Sequence, residues 1–189
     1  MSSPYLLRIE DRELLQNLIG RCWDHWGVGS TNPRRNYALV RFFIRTEDSF
    51  IAIESDTCDA LDHPSDPDIT RLSVDSDNWD ERNAIKSGGL FFHDRGKIIR
   101  QIYVIRDIEI VSDSTNEPST SEFDSGVIFQ FDHGVIAFHK VNFYDLDFSV
   151  DRWKSFGEIS LSPNFGRFQQ SLEYQVQLTR LIIPLEDCG

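Results

Sequence analysis

Positive charge is scarce in this sequence. Its 189 residues include 19 lysines and arginines against 31 aspartates and glutamates, which gives a formal net charge of −12 at pH 7. A protein that binds nucleic acid needs a basic face, because binding releases counterions from the phosphate backbone. The charge balance therefore argues against direct binding of nucleic acid, and equally against attachment to an anionic membrane surface.

Cysteines and long apolar runs are also scarce. The three cysteines, Cys22, Cys58 and Cys188, have no regular spacing, and their odd number does not suit a disulfide framework. No apolar run approaches the ~18 residues of a membrane-spanning helix. Charged residues interrupt the stretch 1–13, where a signal peptide would need an apolar segment. We therefore expect a soluble protein of the cytoplasm with reduced cysteines.

Motifs of catalysis and cofactor binding are missing as well. The sequence has no GxxxxGK[ST] or GxGxxG phosphate loop and no nucleophile in a glycine-flanked elbow. Cys22, His25, Cys58 and His63 could be drawn as a zinc site, but their spacing matches no standard pairing. The acidic stretch 75–81 lacks the glycine that a calcium loop requires. These absences favour a non-catalytic protein without metal or cofactor.

Acidic residues are the feature present in excess, and they are concentrated. From Glu47 to Glu81 the chain carries twelve acidic residues, nine of them aspartate, and one basic residue, Arg71. Aspartate is a poor helix former and a good turn former, because its short carboxylate bonds nearby backbone N–H groups. We call residues 47–81 the acid-rich segment and expect it to consist of loops and strand ends.

A helix is predicted at residues 11–26. Its apolar side chains recur at three-to-four spacing, Asp11 can cap its start, and Gly27 marks its end. The same phase predicts that Trp23 and Trp26 lie in the core.

Strand patterns dominate the rest of the chain. Two pairs of strands flank compact turns with glycine, at Asp94–Lys97 and at Asp132–Gly134. Residues 112–125 are polar and predict a loop. Apolar, β-branched and aromatic runs predict strands at 37–46, 49–54, 69–74, 90–93, 98–111, 127–131, 135–141, 145–150, 157–161 and 172–183.

Together these patterns predict one α+β domain over residues 1–189. We expect a mainly antiparallel curved sheet, or partly open barrel, of about eight to ten strands within the β-rich residues 37–185. The N-terminal helix should pack on this sheet.

The leading functional hypothesis is a binding protein whose acidic surface engages a basic protein partner. Carboxylates steer such a partner and an exposed aromatic ring supplies contact area, although Trp79 could instead anchor its own loop. Nucleases hold phosphates with basic clusters, so an immunity or inhibitor protein that neutralises a nuclease-type toxin would fit this chemistry. The predicted partner-binding residues are Asp62, Asp66, Asp68, Asp75, Asp77, Trp79, Asp80 and Glu81.

Two alternatives remain open. His93, His133 and His139 lie in or beside the predicted hairpins, and histidine is the usual general base near neutral pH. If they converge on a pocket in the sheet, the protein is an enzyme or a small-ligand-binding domain. A broad exposed apolar patch would instead indicate a structural subunit of a larger complex.

Overall fold

The computed structural model describes residues 5–28, 41–57, 70–76, 90–113, 117–141, 147–162 and 174–188. Within these ranges the chain forms one α-helix, nine strands and two short 3₁₀ helices, at Phe156–Glu158 and Leu185–Asp187. The helix and strands are α1 (Ile9–Gln16), β1 (Cys22–Val28), β2 (Arg41–Thr46), β3 (Phe50–Thr57), β4 (Thr70–Asp75), β5 (Leu90–Asp113), β6 (Ser119–Phe131), β7 (Val135–Lys140), β8 (Phe148–Trp153) and β9 (Tyr174–Pro184).

All nine strands belong to one antiparallel sheet with the order β4-β3-β2-β1-β5-β6-β7-β8, and β9 pairs with β5. The long strand β5 connects the two halves. Its first part pairs with β1, and residues from Ile99 to Val111 pair with β6. Beyond the end of β1, strand β9 takes its place beside β5 and pairs with Tyr103–Asp113. Over the described residues the sheet is not closed into a barrel. The predicted α+β class and antiparallel sheet are therefore confirmed.

Aromatic side chains hold the two halves of the sheet against each other. Phe42 of β2 stacks on Phe138 of β7 with ring centroids 4.0 Å apart and planes 8° apart. Trp23 is fully buried, and its ring lies 5.3 Å from Phe129 and 5.2 Å from Phe131. Because β2 and β7 are not neighbours in the strand order, the sheet must fold over on itself to bring these rings together. The predicted core positions of Trp23 and Trp26 are confirmed.

The N-terminal segment bridges the two halves. On one side, the carboxylate of Asp11 in α1 accepts a hydrogen bond of 3.0 Å from Val74 N–H of β4. On the other, Leu7 N–H donates to the Asp124 carboxylate of β6 at 2.8 Å, and Asp124 N–H donates to the Tyr5 carbonyl. Leu15 of the helix is completely buried. The helix thus packs on the sheet as predicted.

The predicted helix boundary at residue 26 is wrong. The helix ends at Gln16, and Cys22–Val28 form β1 instead. This strand pairs with β2 on one side and β5 on the other, so two neighbours satisfy its backbone groups. Strand β1 is also rich in aromatic side chains that pack well on a sheet. Tertiary pairing therefore overrides the helical spacing of its apolar residues.

The turn predicted at Asp94–Lys97 is also wrong, since β5 runs through it without reversing. Opposite this stretch, His25 of β1 pairs with His93 and Trp23 pairs with Lys97, so Asp24 alone faces three residues of β5. Gly96 takes a φ of +86° there. The glycine therefore permits a bulge within one strand rather than a hairpin.

Other boundaries also differ from the prediction. Strand β8, for example, extends to Trp153, past the predicted end at residue 150. Residues 112–125 were expected to form a loop, but β5 extends to Asp113 and β6 begins at Ser119, where the two strands pair. Backbone pairing orders this stretch despite its polar side chains. Residues 157–161 were expected to form a strand, and the 3₁₀ helix at Phe156–Glu158 takes part of that place.

The β2–β3 and β6–β7 hairpins, strand β4 and strand β9, which ends at Pro184, agree with the prediction.

Candidate functional site

Asp75 is the one predicted partner-binding residue that the structure describes. It is the last residue of β4 and is partly exposed. The others lie outside the described residues: Asp62, Asp66, Asp68, Asp77, Trp79, Asp80 and Glu81. Cys58 and His63 of the drawn zinc set lie outside them too.

Two carboxylates of the acid-rich segment pair with arginines. Asp48 bonds Arg21, and Glu54 lies 3.4 Å from Arg41. Six other cations are each engaged with a carboxylate outside the acid-rich segment, which leaves them unavailable to neutralise it. These pairs are Arg95–Asp24, Lys97–Asp94, Arg100–Asp132, Arg106–Asp124, Arg152–Asp94 and Arg180–Asp107.

The three predicted pocket histidines have different surroundings. The ring of His93 lies 5.3 Å from that of His25 on β1. His139 is buried in β7, and its Nε2 lies 2.7 Å from the Asp151 carboxylate of β8. His133 is exposed in the β6–β7 turn. The structure therefore does not place the three rings around one described cavity.

His25 belongs to a chain of polar contacts that the sequence did not reveal. Its Nδ1 lies 3.0 Å from the Asp24 carboxylate, whose other oxygen is 2.7 Å from Arg95. Burial raises the pKa of Asp24, but the hydrogen bond to His25 and the charges of Arg95, His25 and His93 outweigh it and lower the pKa overall. The arrangement orients the His25 ring and keeps Asp24 ionised.

A cleft of about 280 Å³ opens where β5, the β6–β7 turn and the end of β8 meet. Its polar lining is basic, with Lys97 from β5, Arg152 and Lys154 from the end of β8, and His133 from the turn. Its apolar lining comprises Phe131, Val135, Ile136 and Trp153. We call this site the basic cleft.

The turn that forms one wall of the basic cleft depends on Gly134. Its φ is +97°, a conformation that L side chains rarely adopt. A Cβ atom at this position would also lie 3.1 Å from the carbonyl oxygen of Trp153. Glycine at this position therefore permits both the predicted β6–β7 turn and its close approach to β8.

The sequence does not reveal the basic cleft, because its residues are far apart along the chain. The β7–β8 register sets Val135 opposite Trp153 and Ile136 opposite Arg152, while Ile99 of β5 is opposite Phe131 of β6. The one usable signal was the glycine turn at residues 132–134. Nothing in the sequence specified which strand would lie beside it.

Buried ion pairs occupy another part of the sheet. Arg180 of β9 makes two hydrogen bonds of 2.7 Å to Asp107 of β5, and the two side chains are 2% and 0% exposed. Arg106 and Asp124 form a second pair, with Nε and Oδ1 2.8 Å apart. Lys140 is also fully buried. These groups join strands and face away from solvent, so we assign them to the framework.

Large apolar side chains that are exposed occur singly. Among the described residues they lie on or beside four different elements: Ile9, Phe92, Val141 and Leu181. The sign expected for a structural subunit, one broad patch, is therefore not visible in these ranges.

The described ranges contain no group of three or more potential metal ligands and no helix long and apolar enough to cross a membrane. Comparison of the chain with protein families, with curated proteins and with solved structures finds no match.

Proposed function

We propose that this chain is a non-catalytic binding protein whose acid-rich segment engages a basic protein partner. An immunity or inhibitor protein that occupies the cationic substrate site of a nuclease-type toxin fits this chemistry. The observation that carries the proposal is the concentration of acidic residues within one segment of the sequence.

The charge balance supports this reading. The acid-rich segment has twelve acidic residues and one arginine, and Arg21 and Arg41 pair with two of the acids. The formal charge of the segment is therefore −11, from twelve acidic residues and one arginine, and these two pairs offset two of its negative charges. Six further cations pair with carboxylates outside the segment.

Such a charge density favours encounter with a cationic surface. At physiological salt the attraction extends over about 8 Å, so it acts during the approach and in the contact itself. Specificity then requires close contacts, for which Trp79 is the aromatic candidate. The carboxylates of the segment would take the place of phosphates in the cationic site of the partner.

A reducing compartment is part of the proposal. Cys22 and Cys188 are both free thiols in the described part of the chain, and an odd number of cysteines is typical of reduced proteins. We propose the cytoplasm as the place of action.

The test is a comparison of two charge-reversed variants in a pull-down from native lysate at low and at high salt. In the first variant Asp75, Asp77 and Asp80 become lysine. In the matched control, Glu10, Glu117 and Glu158 become lysine, three exposed acids outside the acid-rich segment. Both variants change the net charge by the same amount, so a difference between them reports on location.

We expect the wild type and the control to retain a basic protein at low salt, and the segment variant to lose it. The retained protein should be identified by mass spectrometry, and its own activity should be measured with and without the chain. Equal retention by both variants would refute the proposal. Equal loss from both would show a response to net charge alone and would also refute it.

A further inference from the structure

The basic cleft has the opposite sign of charge to the rest of the molecule. Lys97, Arg152 and Lys154 line it in a chain with a net charge of −12. Like charges repel, so gathering three cations costs energy unless carboxylates or a ligand compensate them.

The available carboxylates compensate them only in part. Asp94 is shared, at 2.7 Å from Lys97 and 3.5 Å from Arg152. The exposed ammonium of Lys154 forms no ion pair within the described residues. Three lining cations thus face one carboxylate.

Three further acids adjoin the cleft in sequence, and each has another partner. Asp151 lies 2.7 Å from His139 Nε2. Asp132 accepts two hydrogen bonds from the Arg100 guanidinium, at 2.7 and 3.0 Å. Glu158 accepts one from the backbone N–H of Lys154 and one from the Ser155 hydroxyl, which are neutral donors, so its charge offsets that of one lining cation. An excess of positive charge therefore remains in the cleft.

The remaining lining is apolar and aromatic. Phe131 is buried, Trp153 is partly exposed, and the Lys97 ammonium lies 5.6 Å from the centroid of the Phe131 ring. The volume of about 280 Å³ lies just below the roughly 300–1,000 Å³ of typical ligand pockets, so the cleft suits a molecule no larger than a single ring. The cleft thus combines a cationic rim with a flat apolar wall.

We propose that the basic cleft binds a small aromatic anion, a one-ring molecule bearing a carboxylate or a phosphate monoester. The anionic group contacts Arg152 and Lys154, with His133 as a further donor, and the ring lies against Trp153 and the apolar wall. Charge-assisted hydrogen bonds from two cations supply most of the affinity. This site is separate from the acid-rich segment, and its existence does not depend on the proposed partner.

Isothermal titration calorimetry of the whole chain at low ionic strength tests the proposal. The probes are benzoate, phenyl phosphate, inorganic phosphate and benzylamine, where benzylamine has a similar ring and the opposite charge. We expect at least one aromatic anion to bind, inorganic phosphate to bind more weakly and benzylamine not to bind. The stronger of benzoate and phenyl phosphate shows which anionic group the cleft takes.

Three outcomes would overturn the proposal. They are no binding of either aromatic anion, binding of benzylamine as strong as that of the anions, and binding of inorganic phosphate as strong as that of phenyl phosphate. Equal binding of inorganic phosphate would show that the apolar wall contributes nothing to the affinity.

Variants connect any binding to the cleft. Arg152→Gln and Lys154→Gln should each weaken binding of the aromatic anion by about tenfold or more. Arg21→Gln, which removes the same charge outside the cleft, should not change the affinity. Both cleft side chains are exposed, so the variants should fold, and far-ultraviolet circular dichroism checks this. A loss in Arg21→Gln equal to that in Lys154→Gln would overturn the assignment.

Discussion

The buried pair of Asp107 and Arg180 offers a sharp test of how β9 is held to the sheet. The two residues are directly opposite each other on β5 and β9, and they make two hydrogen bonds of 2.7 Å. Nη2 of Arg180, which bonds Asp107, also donates to the carbonyl oxygen of Lys140 at 3.0 Å and to that of Val141 at 3.3 Å. One guanidinium therefore links β5, β9 and the end of β7.

We predict that Asp107→Asn lowers the free energy of unfolding by about 3–5 kcal/mol, the usual cost of leaving one member of a buried pair uncompensated. The arginine keeps its charge with no carboxylate beside it, in a site where its side chain is 2% exposed. The free energy of unfolding of a small domain is about 5–15 kcal/mol, so this loss would be a large fraction of it. Arg180→Leu should cost at least as much, because two backbone carbonyls also lose a donor.

Urea denaturation followed by circular dichroism measures these changes. The double variant Asp107→Leu with Arg180→Leu should be more stable than the summed effects of Asp107→Leu and Arg180→Leu predict, because no isolated charge remains. Asp132→Asn is the matched control, since Arg100 and Asp132 make a similar two-bond pair but are 53% and 51% exposed. The control should leave the free energy of unfolding almost unchanged. A cost below about 1 kcal/mol for Asp107→Asn would refute the reasoning.

Other predictions concern single residues. Burial raises the pKa of Cys188 from 9.0 to about 11, so at pH 8 iodoacetamide should alkylate the half-buried Cys22 before Cys188, as measured by peptide mass spectrometry. The same raised pKa predicts that Cys188 contributes to stability below pH 9 and that this contribution is lost as the pH rises towards 11. Alkylation of Cys188 faster than that of Cys22 would contradict both statements. Gly134→Ala should cost about 1 kcal/mol or more in thermal unfolding, because alanine is strained at positive φ and would crowd Trp153; an unchanged melting temperature would contradict this. The pKa of Asp24 is lowered in the folded protein. Its contribution to stability is therefore present above the unfolded pKa near 3.8 and is lost as the pH falls through the folded pKa. With Asp24→Asn, the free energy of unfolding should therefore fall less steeply as the pH drops below 4. An unchanged pH dependence in this range would contradict the prediction.

Local signals predicted the hairpins that short turns close. At Asp132–Gly134 the turn chemistry lies between two apolar runs, and the β6–β7 hairpin forms there. At Asp94–Gly96 a similar pattern led to a wrong turn, because Gly96 with its positive φ accommodates a bulge in β5. A positive φ is compatible with both structures. The pairing of β5 with β1 on one side and β6 on the other selects the continuous strand.

The prediction for β1 failed for a related reason. Residues 22–28 carry apolar side chains that suit one face of a helix, and Trp23 and Trp26 are buried in the core as that pattern predicts. Burial, however, does not distinguish a helix from a central strand. Only the presence of β2 and β5 on both sides decides it, and those contacts span tens of residues of sequence.

The amino-acid sequence by itself determined the acidic charge, the strand-rich character and the identity of the aromatic core, because composition and side-chain pattern act locally. The tertiary structure decided how these parts are used. It committed Arg95, Arg106 and Arg180 to carboxylates outside the acid-rich segment, and it brought Lys97, Arg152 and Lys154 to one cleft. Both results depend on strand register and on the folding over of the sheet, which join residues that no local pattern connects.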